Sequence, residues 1–140
     1  MRNYIAYGSN MNLSQMAKRC PKARKLGTGI IGDYKLIIPG VATIVPEKDN
    51  FVPVVIWEIT PQCEKSLDIY EGYPRVYRKE NIKVLTTAGK EITGMAYILN
   101  DEYCDVNRKP TAAYLNTIIE GYCENKIQGY GIEFIEERKV

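Results

Sequence analysis

Two places in the chain bring together residue types that could do chemistry. The first is Tyr7-Gly8-Ser9-Asn10, which follows the short apolar run Tyr4, Ile5 and Ala6. Glycine lets a ligand approach the backbone closely, and polar residues opening a helix leave N–H groups free to hold a carboxylate or a developing oxyanion. The same four residues also make an ordinary strand-to-helix turn, so local chemistry leaves both readings open. The second place is Glu71, which the pattern puts at the C-terminal end of a helix, where free carbonyls disfavour an anion. A carboxylate partly buried there beneath Tyr70, Tyr73 and Tyr77 would have its pKa raised towards the range of a general acid and base. A solvated carboxylate balanced by Arg75 or Arg78 would be an ordinary surface glutamate.

The rest of the composition narrows the chemistry. Histidine is absent, which excludes Ser-His-Asp and Cys-His catalysis and every zinc site built on imidazole. Cys20, Cys63, Cys104 and Cys123 are widely spaced with no Cys-x-x-Cys pair, so four reduced thiols are expected and no metal is. Any catalyst must use carboxylates, Tyr, Lys or backbone. Eleven tyrosines against two phenylalanines suggest a polar pocket lined by hydroxyls, although tyrosine also serves half-buried sheet surface. The net charge of +2 is not gathered into a run that could track a phosphate backbone, so nucleic acid is not expected as a partner. The longest apolar run, 52–57, is broken by Pro53 and falls far short of the ~20 residues of a membrane-spanning helix. The N-terminus lacks the apolar core and cleavage site of a secretory signal, which makes the cytoplasm the expected compartment.

The elements that must position these groups follow from patterning. A strand through Tyr4 to Ala6 gives way to a short helix with Leu13, Met16 and Ala17 on one face, capped by Asn12 and stopped by Pro21. Between Lys25 and Val45 the sequence predicts short β pieces at 29–31, 34–38 and 41–45, separated by Gly32 and Pro39-Gly40. A polar turn at 47–50 leads into a strand over 51–59. Thr60-Pro61 starts a helix that runs to about Tyr70, followed by a loop from Glu71 to Arg75. Strands at 76–85 and 91–99 form a hairpin, Pro110-Thr111 opens a longer helix, and 132–137 is predicted helical. This is a single α+β domain over 1–140 with a largely antiparallel, barrel-like sheet.

Taken together, Tyr4-Ile5-Ala6-Tyr7-Gly8-Ser9-Asn10-Met11 and Leu67-Asp68-Ile69-Tyr70-Glu71-Gly72, with the following Tyr77-Arg78, resemble the two signatures of the γ-glutamyl cyclotransferase family. The resemblance continues through Ala42-Thr43-Ile44, Val54-Val55-Ile56-Trp57, Gly89-Lys90-Glu91-Ile92-Thr93 and Pro110-Thr111-Ala112-Ala113-Tyr114. It implies a small mixed β-barrel with flanking helices and no cofactor. It also implies conversion of a γ-glutamyl amino acid or γ-glutamylamine to 5-oxoproline with release of the amino acid or amine. By carry-over Glu71 would shuttle the proton, the Tyr4 to Asn10 segment with Tyr77 would bind the glutamyl moiety, and Tyr114 would hydrogen-bond the substrate. Asn10 stands where glutathione-specific relatives typically carry leucine, which points away from glutathione. Pro74 resembles the branch with γ-glutamylamine cyclotransferases, the butirosin-pathway enzyme and plant avirulence-induced proteins. A non-catalytic binding module for a small carboxylated metabolite is the alternative on the same fold, and monomer and homodimer are both open.

Overall fold

A computed structural model of the chain describes residues 1–105 and 107–127. Its elements run β1 (Arg2–Ala6), α1 (Leu13–Arg19), β2 (Arg24–Ile37), β3 (Thr43–Ile59), α2 (Pro61–Glu71), β4 (Tyr77–Thr86), β5 (Glu91–Leu99) and α3 (Ala112–Glu124). Short 3₁₀ turns lie at Ser9–Met11 and Asp101–Tyr103. The helix expected at 132–137 lies outside the described residues.

The strands close a barrel in the order β1, β3, β2, β4, β5. Four of the pairings are antiparallel, and the closing pair of β5 with β1 is parallel through Tyr4 and Met95. This is the small mixed barrel with flanking helices that the sequence implies. Its core takes Ile5 from β1, Val52 and Val54 from β3, Val84 from β4, Met95 from β5, and Leu115, Ile118 and Tyr122 from α3.

The segment 25–45 departs from the expected short pieces, because its glycines mark irregularities within β2 and not its ends. Register shifts fall between Lys25 and Gly27 and between Gly32 and Tyr34, where β2 bulges without leaving β3. At Gly29 a side-chain carbon would lie 2.6 Å from the Leu85 carbonyl oxygen, so glycine is what lets β4 approach where the barrel closes. The expected turn at 47–50 is an excursion inside β3. Pro46 pairs with Tyr34 and Phe51 with Gly32, which leaves 47–50 opposite Asp33 alone. Asp33 Oδ1 accepts from the Asp49 N–H at 3.0 Å and ties the excursion down. The strand expected at 41–45 begins two residues later, at Thr43, because Gly40 takes a left-handed φ of 79° and Val41 and Ala42 stay in the β2–β3 loop.

Candidate active site

The loop 7–10 is held in place from three sides. Met11 and Asn12 turn their N–H groups back onto the Gly8 and Ser9 carbonyls at 3.1 Å, forming the 3₁₀ turn. Asn12 Oδ1 then caps α1 at the Gln15 N–H (3.0 Å), while its Nδ2 donates to the Thr117 carbonyl of α3 at 3.0 Å. Gly121 makes this packing possible, since a side-chain carbon there would lie 2.9 Å from the Asn12 backbone nitrogen. From the barrel, Trp57 Nε1 donates to the Asn10 carbonyl at 3.0 Å.

The Thr60 side chain caps α2 at the Cys63 N–H (3.1 Å), with Pro61 at the first helical position. At the other end Gly72 is left-handed (φ 65°), and the Tyr73 N–H reaches back to the Asp68 carbonyl at 2.9 Å. This closure makes Glu71 the last helical residue, one position beyond the expected helix, and turns its carboxyl into a cavity of about 140 Å³. The cavity also takes Tyr7, Gly8, Ser9 and Asn10 from the loop, Tyr4 and Ile5 from β1, Tyr77 from β4 and Tyr114 from α3. The structure thus brings together every expected site residue except Ala6, which is buried in the β1–β3 ladder opposite Val55 and lines no part of the cavity. Tyr73 also stays outside. Its ring receives Lys79 Nζ at 4.2 Å from the centroid. The two arginines proposed to balance Glu71 do not line the cavity either, and Arg78 Nε pairs with Glu80 Oε2 at 2.7 Å.

Burial pushes the Glu71 carboxyl from an ordinary 4.5 up to about 7, against the opposing pull of the Arg19 guanidinium. Asn10 Nδ2 lies 3.5 Å from Glu71 Oε1 and donates to the Tyr4 hydroxyl at 2.8 Å. The cavity walls are pinned by phenols. Tyr7 donates to the Tyr97 carbonyl at 2.5 Å and Tyr77 to the Ala42 carbonyl at 2.6 Å, while the Tyr114 hydroxyl accepts from the Ala42 N–H at 2.8 Å. Burial raises all three phenols, Tyr114 to about 12, so each is neutral at physiological pH. Among the described residues no group of three or more His, Cys, Asp or Glu could hold a metal. A proton carrier poised near neutrality beside a backbone loop can run acid and base chemistry on a small polar ligand.

Tyr70, expected to lie over Glu71, lines the cavity, and so do Arg19, Val41, Ala42 and Tyr97, which were not singled out for the site from sequence. Arg19 is the last residue of α1, and its Nη1 donates to Asn10 Oδ1 while its guanidinium lies 3.2 Å from the Tyr70 ring centroid. Ala42 belongs to a stretch that the family resemblance already covers, which was the available signal.

The model of the family described as "Gamma-glutamyl cyclotransferase, AIG2-like" matches residues 4–116. A human protein named gamma-glutamylcyclotransferase is 30% identical, the match covering 98% of this chain and 77% of that protein. The mouse protein of the same name is 31% identical over the same shares. A solved structure named gamma-glutamyl cyclotransferase superposes with a TM-score of 0.80 at 27% identity, covering 99% of this chain and 86% of its own. With the family's match reaching from the loop strand to the first turns of α3, the chain belongs to the γ-glutamyl cyclotransferase, AIG2-like family and is an enzyme of the cyclotransferase class.

Proposed function

We propose that this chain cyclises the γ-glutamyl part of a small substrate to 5-oxoproline and releases the amino acid or amine bonded to the γ-carbonyl. The observation that carries the proposal is the Glu71 carboxyl, raised to about 7 and facing the same cavity as the 7–10 loop. The substrate's α-ammonium pairs with the Glu71 carboxylate, which then takes one of its protons. The freed amine attacks the γ-carbonyl carbon of the same molecule, forming the ring C–N bond. Backbone N–H groups of Gly8, Ser9 and Asn10 hold the oxyanion, a type of contact whose loss lowers the rate ~10²–10³-fold. As the old C–N bond breaks Glu71 returns its proton to the departing nitrogen, then takes the surplus proton from the ring nitrogen and passes it to the released amine, which leaves as an ammonium, so one side chain serves both halves.

Attack within one molecule needs no protein nucleophile. It needs the glutamyl chain held curled, where effective molarities of order 10⁵ M and above apply. The pinned tyrosine walls supply that constraint: Tyr7, Tyr77 and Tyr114 each fix a backbone group of the cavity rim. Tyr4, Ile5 and Asn10 complete the glutamyl pocket, and Asn10 also aligns Glu71 from 3.5 Å.

The test is release of 5-oxoproline from γ-glutamyl amino acids, γ-glutamylamines and glutathione by the wild type and Glu71→Gln. Turnover of at least one γ-glutamyl compound, lowered ~10²–10⁴-fold by the substitution, is expected for a lost acid and base. Saturable binding without turnover across the panel would overturn the proposal.

A further inference from the structure

Arg19 presents a charge problem that the chain's own described residues do not solve. No carboxylate among them lies within ion-pair distance of its guanidinium. Its Nη1 is spent on the Asn10 amide oxygen and lies 3.5 Å from Ser9 Oγ, its face lies on Tyr70, and its Nε is buried without a partner. A half-buried cation with a buried donor unused is stabilised by an anion brought to it. Glu71 cannot be that anion throughout the reaction, because it must take up and give back a proton.

The place of Arg19 indicates which anion it would receive. Arg19 and Tyr70 stand in the wall of the glutamyl cavity and also line a larger open groove of about 570 Å³ on its outer side. That groove adds Lys18 and the Gln15 amide, whose Nε2 is a second buried donor without a partner, and among the described residues Glu120 is its one carboxylate. The leaving nitrogen must lie beside Glu71 to be protonated, and among the described residues that line the cavity with Glu71 the one cation is Arg19, on the side shared with the groove. In an α-amino acid the carboxylate is one carbon from that nitrogen, which brings it to the stretch of wall formed by Arg19. In a simple amine nothing there is charged.

We infer that Arg19 is the residue that sets leaving-group specificity, its guanidinium receiving the carboxylate of the departing amino acid where the cavity meets the outer groove. The inference rests on the cyclotransferase reading above. It assigns the leaving group a subsite of its own, separate from the loop and phenols that hold the glutamyl part.

The test compares γ-glutamylalanine with γ-glutamylethylamine, two substrates that differ only by that carboxylate, using 5-oxoproline release by the wild type, Arg19→Met and Arg19→Lys. The wild type is expected to favour γ-glutamylalanine about ten- to a hundredfold in kcat/KM, the range of a charge-assisted hydrogen bond. Arg19→Met is expected to lose at least tenfold more on γ-glutamylalanine than on γ-glutamylethylamine. Arg19→Lys, keeping a point charge without the flat fork, should fall between the two. Equal use of both substrates by the wild type would overturn the inference and leave the cyclotransferase reading standing. An intact preference in Arg19→Met would do the same, because Arg19 would then only brace Asn10 and Tyr70. Turnover of neither substrate by the wild type would overturn both. If Arg19→Met fails to fold, the wild-type ratio and the Lys variant still decide.

Discussion

Replacing Glu71 with glutamine is expected to make the protein more stable while it removes activity, and the gain depends on pH in a calculable way. The carboxyl sits at about 7 in the folded protein against an ordinary 4.5, so between those values the folded chain binds more protons than the unfolded one. Stability therefore falls as pH rises through that window. At 1.36 kcal/mol per pH unit the full effect above pH 7 is roughly 3 kcal/mol, an upper figure because Glu71 is only partly buried as a residue. Glutamine has the same shape and no charge to desolvate. It should match the wild type near pH 4 and exceed it by up to about 3 kcal/mol at pH 8, or roughly 10 °C in Tm for a domain of this size. Urea denaturation of both proteins from pH 4 to 8 gives the difference directly. A difference that stays constant across the range would refute the reasoning, because it would mean that the folded protein holds the Glu71 carboxylate as comfortably as water does.

The same raised carboxyl governs the rate. With Glu71 required as carboxylate in the free enzyme, kcat/KM should fall about tenfold per pH unit below 7, and a profile flat down to pH 5 would show an ordinary glutamate. Tyr114→Phe leaves the Ala42 N–H without its acceptor and should lower stability by roughly 1–3 kcal/mol in denaturant titration. No loss would show that water replaces the hydroxyl.

Much of the scaffold was legible because local signals agreed with the final packing. Asn12 and Thr60 cap the helices expected of them, Gly72 closes α2, and the 76–99 hairpin forms as β4 and β5. Glu71 could be placed at a helix end from the Thr60-Pro61 start and the helical run to about Tyr70. The length of β2 and β3 was not legible, since glycine and proline weaken strands on average while here they allow bulges and a close approach between strands. Arg19 was missed for a different reason. It shares the cavity with Glu71 only because the last turns of α1 and α2 converge there, a juxtaposition of residues 52 positions apart in sequence that no periodicity reports.

The abundance of tyrosine over phenylalanine bears on how this enzyme can change. Tyr7, Tyr77 and Tyr114 spend their hydroxyls on the backbone of residues 97 and 42, so altering any of them loosens a wall together with a contact. The outer groove carries no such obligation at Ser14, Lys18 and Glu120, which are solvent-facing helix residues. On the proposed reaction, new leaving groups can therefore be accommodated by drift on that outer surface while the mould that would bend the glutamyl chain stays fixed, so the reaction can acquire new substrates without being rebuilt.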